Sequence, residues 1–371
     1  MKMASRRIVV ATTAAGLGTA LTATVVVLAG ADERSAAPAG AAANERAWRQ
    51  VPPTAYPGST HISDITATPG GGVWAGGNLS TQSLPLVERL TSKGWARLAI
   101  PSTLPKVQIH TIGASSATNV WVGGSMFKPG ATSLLRWNGA KWSAHSLGET
   151  FLPVEITPMS ANDVWVAGNA DHLKRWNGST WRNYPLGFRA QTISGVSAKD
   201  LWAVGLSTDR KPAAAHWNGT AWRRSTLPGI PVVSGGEMSA RLNDVVALAP
   251  NNVWAAGSVP AKDATGRMTA RALLARWNGA KWTTAIGANG TAYSAIEGDG
   301  AGGLWIVDGT VLRHRTKAGV WTRAALTIAP GRQPRASGLA LRPGTRTVWA
   351  GGYVPKPSPS TDIRTMYWRN D

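Results

Sequence analysis

The sequence predicts an all-β fold, a seven-bladed β-propeller of four-stranded blades whose ring is closed by an N-terminal strand completing the last blade. Three observations predict it. A Val/Leu-Trp phrase ending in Gly recurs seven times, and a Trp-Asn-Gly-x-x-Trp phrase recurs four times. The segment around Trp48 supplies a strand that the last repeat lacks.

The first phrase places Trp74, Trp121, Trp165, Trp202, Trp254, Trp305 and Trp349 at intervals of 37 to 52 residues, the size of one propeller blade. Inside the second repeat, four short runs alternate with turn residues. IHTIGAS is read as a first strand, VWVGG as a second, LLRW as a third and WSAHSLG as a fourth. No helical period separates these runs, which excludes parallel βαβ units.

The second phrase reads RWNGAKW at 136–142 and 276–282, RWNGSTW at 175–181 and HWNGTAW at 216–222. Asn-Gly accepts positive φ and signals a hairpin between the third and fourth strands. A two-residue turn offsets the two Trp by two positions, and a four-residue turn sets them opposite each other. Both arrangements put the indoles on one face. A single blade cannot bury that face, so the neighbouring blade must cover it. Two repeats depart from the phrase. RLTSKGW has Leu90 where the third-strand Trp is expected, and LRHRTKAGVW has His314 there with a turn longer by two. The ring is expected to be irregular at these two places.

The seventh repeat runs through TMYWRND and ends at Asp371 after a third strand. ERAWRQVP at 45–52 resembles the Trp-led fourth strands, with Trp48 matching Trp142, Trp181, Trp222 and Trp282. Pairing it with the last repeat closes the ring at about 46 residues per blade.

Composition bounds what such a ring can do. The chain of 371 residues has 19 Trp against 3 Phe and 5 Tyr, so one repeated position demands indole. It has no Cys, which excludes disulfides, thiolate catalysis and Cys-ligated zinc. The net charge of +20 favours polyanions as partners. At the N-terminus, MKMASRR precedes an uncharged run from Ile8 to Ala31, with small-residue cleavage sites at 29–31 and 41–43. Residues 1–31 read as a signal peptide or an uncleaved membrane anchor, and Arg6-Arg7 fits a twin-arginine route. Residues 32–43 read as a disordered linker, and 44–371 as a single propeller domain. A secreted or cell-envelope location follows.

The VWxxG and WNGxxW phrases together resemble the repeats of exported seven-bladed propellers common in actinobacteria, akin to WD40, kelch and sensor propellers. The resemblance covers residues 45–371 and implies the fold, leaving activity open because propellers host many functions. A fainter resemblance links the aromatic-Gly-x-x-Trp hairpin to bacterial propeller lectins.

Catalytic motifs are absent: there is no G-x-S-x-G, H-E-x-x-H, P-loop or EF-hand. The one G-x-G-x-x-G, at 298–303, lies between two strands and reads as a turn. No catalytic residue, metal or cofactor is assigned. Two sets of binding candidates remain. The loops joining second to third strands carry Lys128, Arg210, Lys211, Lys262, Arg267, Arg271, Lys356 and Arg364, on the face where extended loops bind ligands. The first strands carry His61, His110, Glu155, Gln191, Asn243, Asp244 and Tyr293 near the mouth of a central channel. The expected function is a monomeric, non-enzymatic binding scaffold engaging an anionic cell-wall polymer or a partner protein through the basic loop face. A glycan-binding lectin with exposed edge Trp is one alternative. A polysaccharide lyase or hydrolase using His110, Glu155 and Asp244 is another. Nucleic acid is not an expected partner, and a membrane is one only through an uncleaved N-terminal segment.

Overall fold

The computed structural model describes residues 47–79, 84–126, 133–148, 150–230, 239–326, 328, 333–355 and 363–371. The predicted export segment and linker, and with them Lys128 and Lys356, lie outside the described residues. Among the described residues there are seven four-stranded antiparallel sheets and no helix, hence none long and apolar enough to cross a membrane. Blade 1 is built from Thr60–Ala67, Val73–Leu79, Leu84–Thr91 and Gly94–Arg97. Five further blades follow in the same order, through Ala325.

Blade 7 joins the two ends of the chain. Arg335–Leu341, Val348–Pro355 and Ile363–Asn370 are its first three strands, and Trp48–Val51 is the fourth. The N-terminal strand pairs with the last repeat, as the sequence predicts; in the register Trp48 faces Asn370 and Gln50 faces Trp368, and both Trp48 and Trp368 are buried in one cluster. A second clasp reinforces the closure. The fully buried Glu88 of blade 1 accepts hydrogen bonds from Tyr367 of blade 7 (2.7 Å) and from Tyr56 of the connecting segment (3.0 Å). Burial first, and the Glu88 charge second, push both phenol pKa values up, so both keep the protons they donate.

The repeated phrase has a physical explanation. Trp137 faces Trp142, Trp176 faces Trp181, Trp217 faces Trp222 and Trp277 faces Trp282, so the turn has four residues. The Asn acts through its side chain: Asn138 Oδ1 accepts the N–H groups of Ala140 and Lys141 at 3.0 and 2.9 Å. Only the Gly takes positive φ, +96° at Gly139, where a Cβ would lie 2.6 Å from the Thr118 methyl group.

The residue before the third-strand Trp is basic for an equally local reason. It lies opposite the second-strand Trp and stacks on it. Arg136 lies 5.2 Å from the Trp121 ring, Arg175 4.8 Å from Trp165 and Arg276 5.1 Å from Trp254. His216 stacks on Trp202 at 4.6 Å and His314 on Trp305 at 4.4 Å. A polar residue closes several of these stacks, as where Asn119 Oδ1 accepts from both Trp121 Nε1 and Arg136 Nε. The charges of Arg136, Arg175 and Arg276 are thus part of the packing. The next blade then adds its own indoles: Trp217 and Trp222 lie 5.1 and 5.4 Å from Trp165.

Blade 6 corrects the sequence alignment by one residue. Arg315, not His314, faces the fourth-strand Trp321, so the turn is one residue longer than elsewhere and not two. His314 holds the stacking position, bonded to Asp299 at 2.9 Å.

Candidate functional site

Every first strand carries a β-bulge at the same place. The register skips one residue in each blade: Ser63, His110, Val154, Gln191, Asn243, Ser294 and Ser337. A bulge turns two successive side chains toward one side of the strand. All seven extra residues line a central cavity of about 450 Å³.

The residue after the bulge sets the chemistry of the wall. It is Asp64 in blade 1, Glu155 in blade 3 and Asp244 in blade 5. Asp64 accepts the N–H of Ile65 (2.7 Å) and, across the seam, that of Ile112 in blade 2 (2.9 Å). Asp244 repeats the pattern with Val245 (2.8 Å) and Ile296 of blade 6 (2.8 Å). These carboxyls staple neighbouring blades. Burial outweighs the two hydrogen bonds and pushes Asp64 up to about 6 and Asp244 up to about 7. Glu155 is raised well above the carboxylate range by burial, then by the charges of Asp64 and Asp244. Glu297 of blade 6, two residues past the Asp244 register, is pushed to about 7 by burial. Asn243 and Thr157 add further staples, to Tyr293 O (2.7 Å) and Ile193 O (3.1 Å).

Of the seven channel candidates, the cavity brings together His110, Glu155, Gln191, Asn243 and Asp244. His61 and Tyr293 are not part of its wall. His61 sits edge-on to Tyr353, its pKa lowered by burial and then by His110, and Tyr293 is buried between blades. Sequence reasoning missed Asp64 and Glu297. Asp64 was within reach, because S-D-I aligns with V-E-I and N-D-V in the first strands. Among the described residues no group of three His, Cys, Asp or Glu is placed to hold a metal ion.

The loop-face cations divide. Arg364 donates to the carbonyls of Tyr56 (3.0 Å) and Gly58 (2.6 Å), which makes it part of the ring closure. Arg271 donates to Gly287 O (2.7 Å) and Arg210 to Ser239 (2.8 Å). Lys211 pairs with Asp209 (2.9 Å) and Arg267 with Asp263 (3.3 Å), both on the surface. Lys262 is exposed. A second set had no sequence signal. Two residues before the bulge stand Arg189, Arg241 and Arg335, in blades 4, 5 and 7. They face Leu206, Ser258 and Tyr353, at the loop end of the first strands, and so rim the channel mouth. All three are exposed, and none has an acidic partner among the described residues.

Searches for similar proteins return structures alone. No family model matches the chain, and no curated protein does. YCF48 bound to D1 peptide aligns over 88% of this chain and 98% of its own, at 12% identity and a TM-score of 0.57. YCF48 from Cyanidioschyzon merolae aligns over 87% and 98%, at 14% identity and a TM-score of 0.56. The extracellular domain of BT4673 from B. thetaiotaomicron aligns over 87% of this chain and 40% of its own, at 11% identity and a TM-score of 0.55. What they share with it is the fold.

Proposed function

We propose that this protein is an exported binding scaffold whose loop face holds an acidic segment of a partner protein across the channel mouth. The observation that carries this reading is the rim of Arg189, Arg241 and Arg335, exposed and without acidic partners among the described residues. Of the loop-face cations, Arg364 and Arg271 are held by carbonyls and Lys211 and Arg267 by nearby carboxylates, whereas the three rim guanidiniums are exposed without such partners. Guanidinium pairs with carboxylate in bidentate geometry, which suits Glu and Asp side chains of an extended chain. One protein of this fold, YCF48, has been captured with a peptide.

The lectin alternative requires repeated exposed indoles. Among the described residues, Trp321 is the one Trp in the exposed class, at 40%.

Titration calorimetry with a glutamate-rich peptide tests the proposal. The intact protein should bind it with an affinity that falls steeply with added salt. The Arg189→Ser/Arg241→Ser/Arg335→Ser variant should lose about tenfold or more at unchanged melting temperature. Equal binding by that variant rules out the rim. Preference for an acidic polysaccharide over the peptide would replace the protein partner with a wall polymer.

A further inference from the structure

The opposite face, where the hairpin turns lie, holds a second cavity that the loop-face reading does not use. It measures about 720 Å³ and sits in the seam between blades 7 and 1. Its walls include Arg49, Arg342, Arg369, Val73, Leu90 and Trp349.

The repeat explains why space opens at this seam. In the three seams from blade 2 to blade 5 the third-strand Trp of one blade lies against the second-strand Trp of the preceding blade. Trp176 is 6.3 Å from Trp121, Trp217 is 5.1 Å from Trp165 and Trp277 is 5.0 Å from Trp202. In blade 1 the same register position, facing Trp95, is Leu90. A branched aliphatic side chain stands where an indole fills those three seams. Trp349 and Val73 are 2% and 1% exposed, so a ring entering the gap would lie chiefly against the half-buried Leu90.

The charge at the entrance is one-sided. Arg49 and Arg369 share a single carboxylate, Asp371. Arg342 is exposed and has no acidic partner among the described residues. A slot of mixed lining, with Leu90, Val51 and Pro52 as its apolar part and an exposed guanidinium beside them, suits a ligand with a flat ring at one end and an anion at the other. We infer that the blade 7–blade 1 seam is a binding site for a small aromatic acid, a planar ring bearing a carboxylate.

Indole-3-acetate is the probe, titrated into the full chain by calorimetry and followed by ligand-observed NMR, with indole and acetate as separate controls. Indole-3-acetate should saturate one site, and each control should bind about tenfold more weakly or not at all. Arg342→Ser should weaken indole-3-acetate by about tenfold and leave indole unchanged. Leu90→Trp introduces the residue that blades 2 to 5 carry at this position and should abolish binding while the melting temperature holds or rises. The loop-rim triple variant should bind the probe as the intact protein does, which separates this site from the loop-face proposal. A peptide ending in Trp, with free or amidated carboxylate, distinguishes a chain end from a free acid as the source of the same chemistry. Absence of saturable binding at millimolar probe overturns the assignment. So does undiminished binding by Leu90→Trp, or by Arg342→Ser, which lies on the surface and needs no repacking.

Discussion

The seam between blades 3 and 4 and the seam between blades 5 and 6 solve one packing problem with different residues. In the first, Trp165 is enclosed by Arg175 of its own blade and by Trp217 and Trp222 of the next. In the second, Trp254 lies under two guanidiniums, Arg276 at 5.1 Å and Arg315 at 4.7 Å. There the fourth-strand Trp321 is left 40% exposed. A Trp-to-Arg exchange together with one extra turn residue decides whether an indole becomes packing or surface. Aromatic contacts between blades are therefore a property of each hairpin, not of the ring as a whole.

Substitutions can sharpen this contrast. The largest effect is expected at Trp165, which is fully buried: Trp165→Ala should cost about 3–5 kcal/mol in urea unfolding. Trp321→Ala, the same chemical change at an exposed edge, should cost under about 1 kcal/mol. Equal losses would mean that exposure at the blade 5–6 seam does not reflect weaker packing. Next comes the closure. Glu88→Ala leaves the buried Tyr367 phenol without its acceptor and should cost about 2–4 kcal/mol. Glu88→Gln keeps an acceptor and should recover part of that loss. Smaller still, Arg175→Leu removes a stack on Trp165 and an ion pair to Asp163 at 2.7 Å, for about 1–2 kcal/mol.

A pH dependence is expected from the channel wall. Asp64, Asp244 and Glu297 have folded-state pKa values of about 6, 7 and 7, above the ordinary range near ~4. The folded protein holds these protons more tightly than the unfolded chain. Their contribution is complete below about pH 4 and is lost as pH rises to about 7. Melting temperature should therefore be higher at pH 5 than at pH 7.5, by a few degrees, and Asp244→Asn should shrink the difference. An unchanged difference in Asp244→Asn would contradict burial as the dominant influence on that carboxyl, since His61, His110 and His145, with pKa values lowered by desolvation, act in the opposite direction in both proteins.

How legible this protein was in its sequence depended on the scale of the interaction. Blade number and closure were legible because each rests on a phrase repeated within short segments, Val-Trp and Trp-Asn-Gly. The role of the basic residue before Trp137 or Trp176 was not, although the letters recur, since stacking is a contact between strands. The channel was half legible. Glu155 and Asp244 stood out, while Asp64 needed the bulge to reveal its shared register. Arg189, Arg241 and Arg335 had no local signature, because only the ring brings three separate strand beginnings to one rim. Conversely, Arg364 and Arg271 looked like loop charges until the fold placed carbonyls within their reach.

The division between cations that hold blades together and cations that face a partner can be measured in one side-by-side experiment. Peptide affinity and melting temperature would be recorded for Arg175→Leu and for the Arg189→Ser/Arg241→Ser/Arg335→Ser variant. The first should melt lower and bind the acidic peptide normally, and the second should melt normally and bind poorly. Loss of peptide binding by Arg175→Leu while it remains folded, with binding retained by the rim variant, would contradict the division outright.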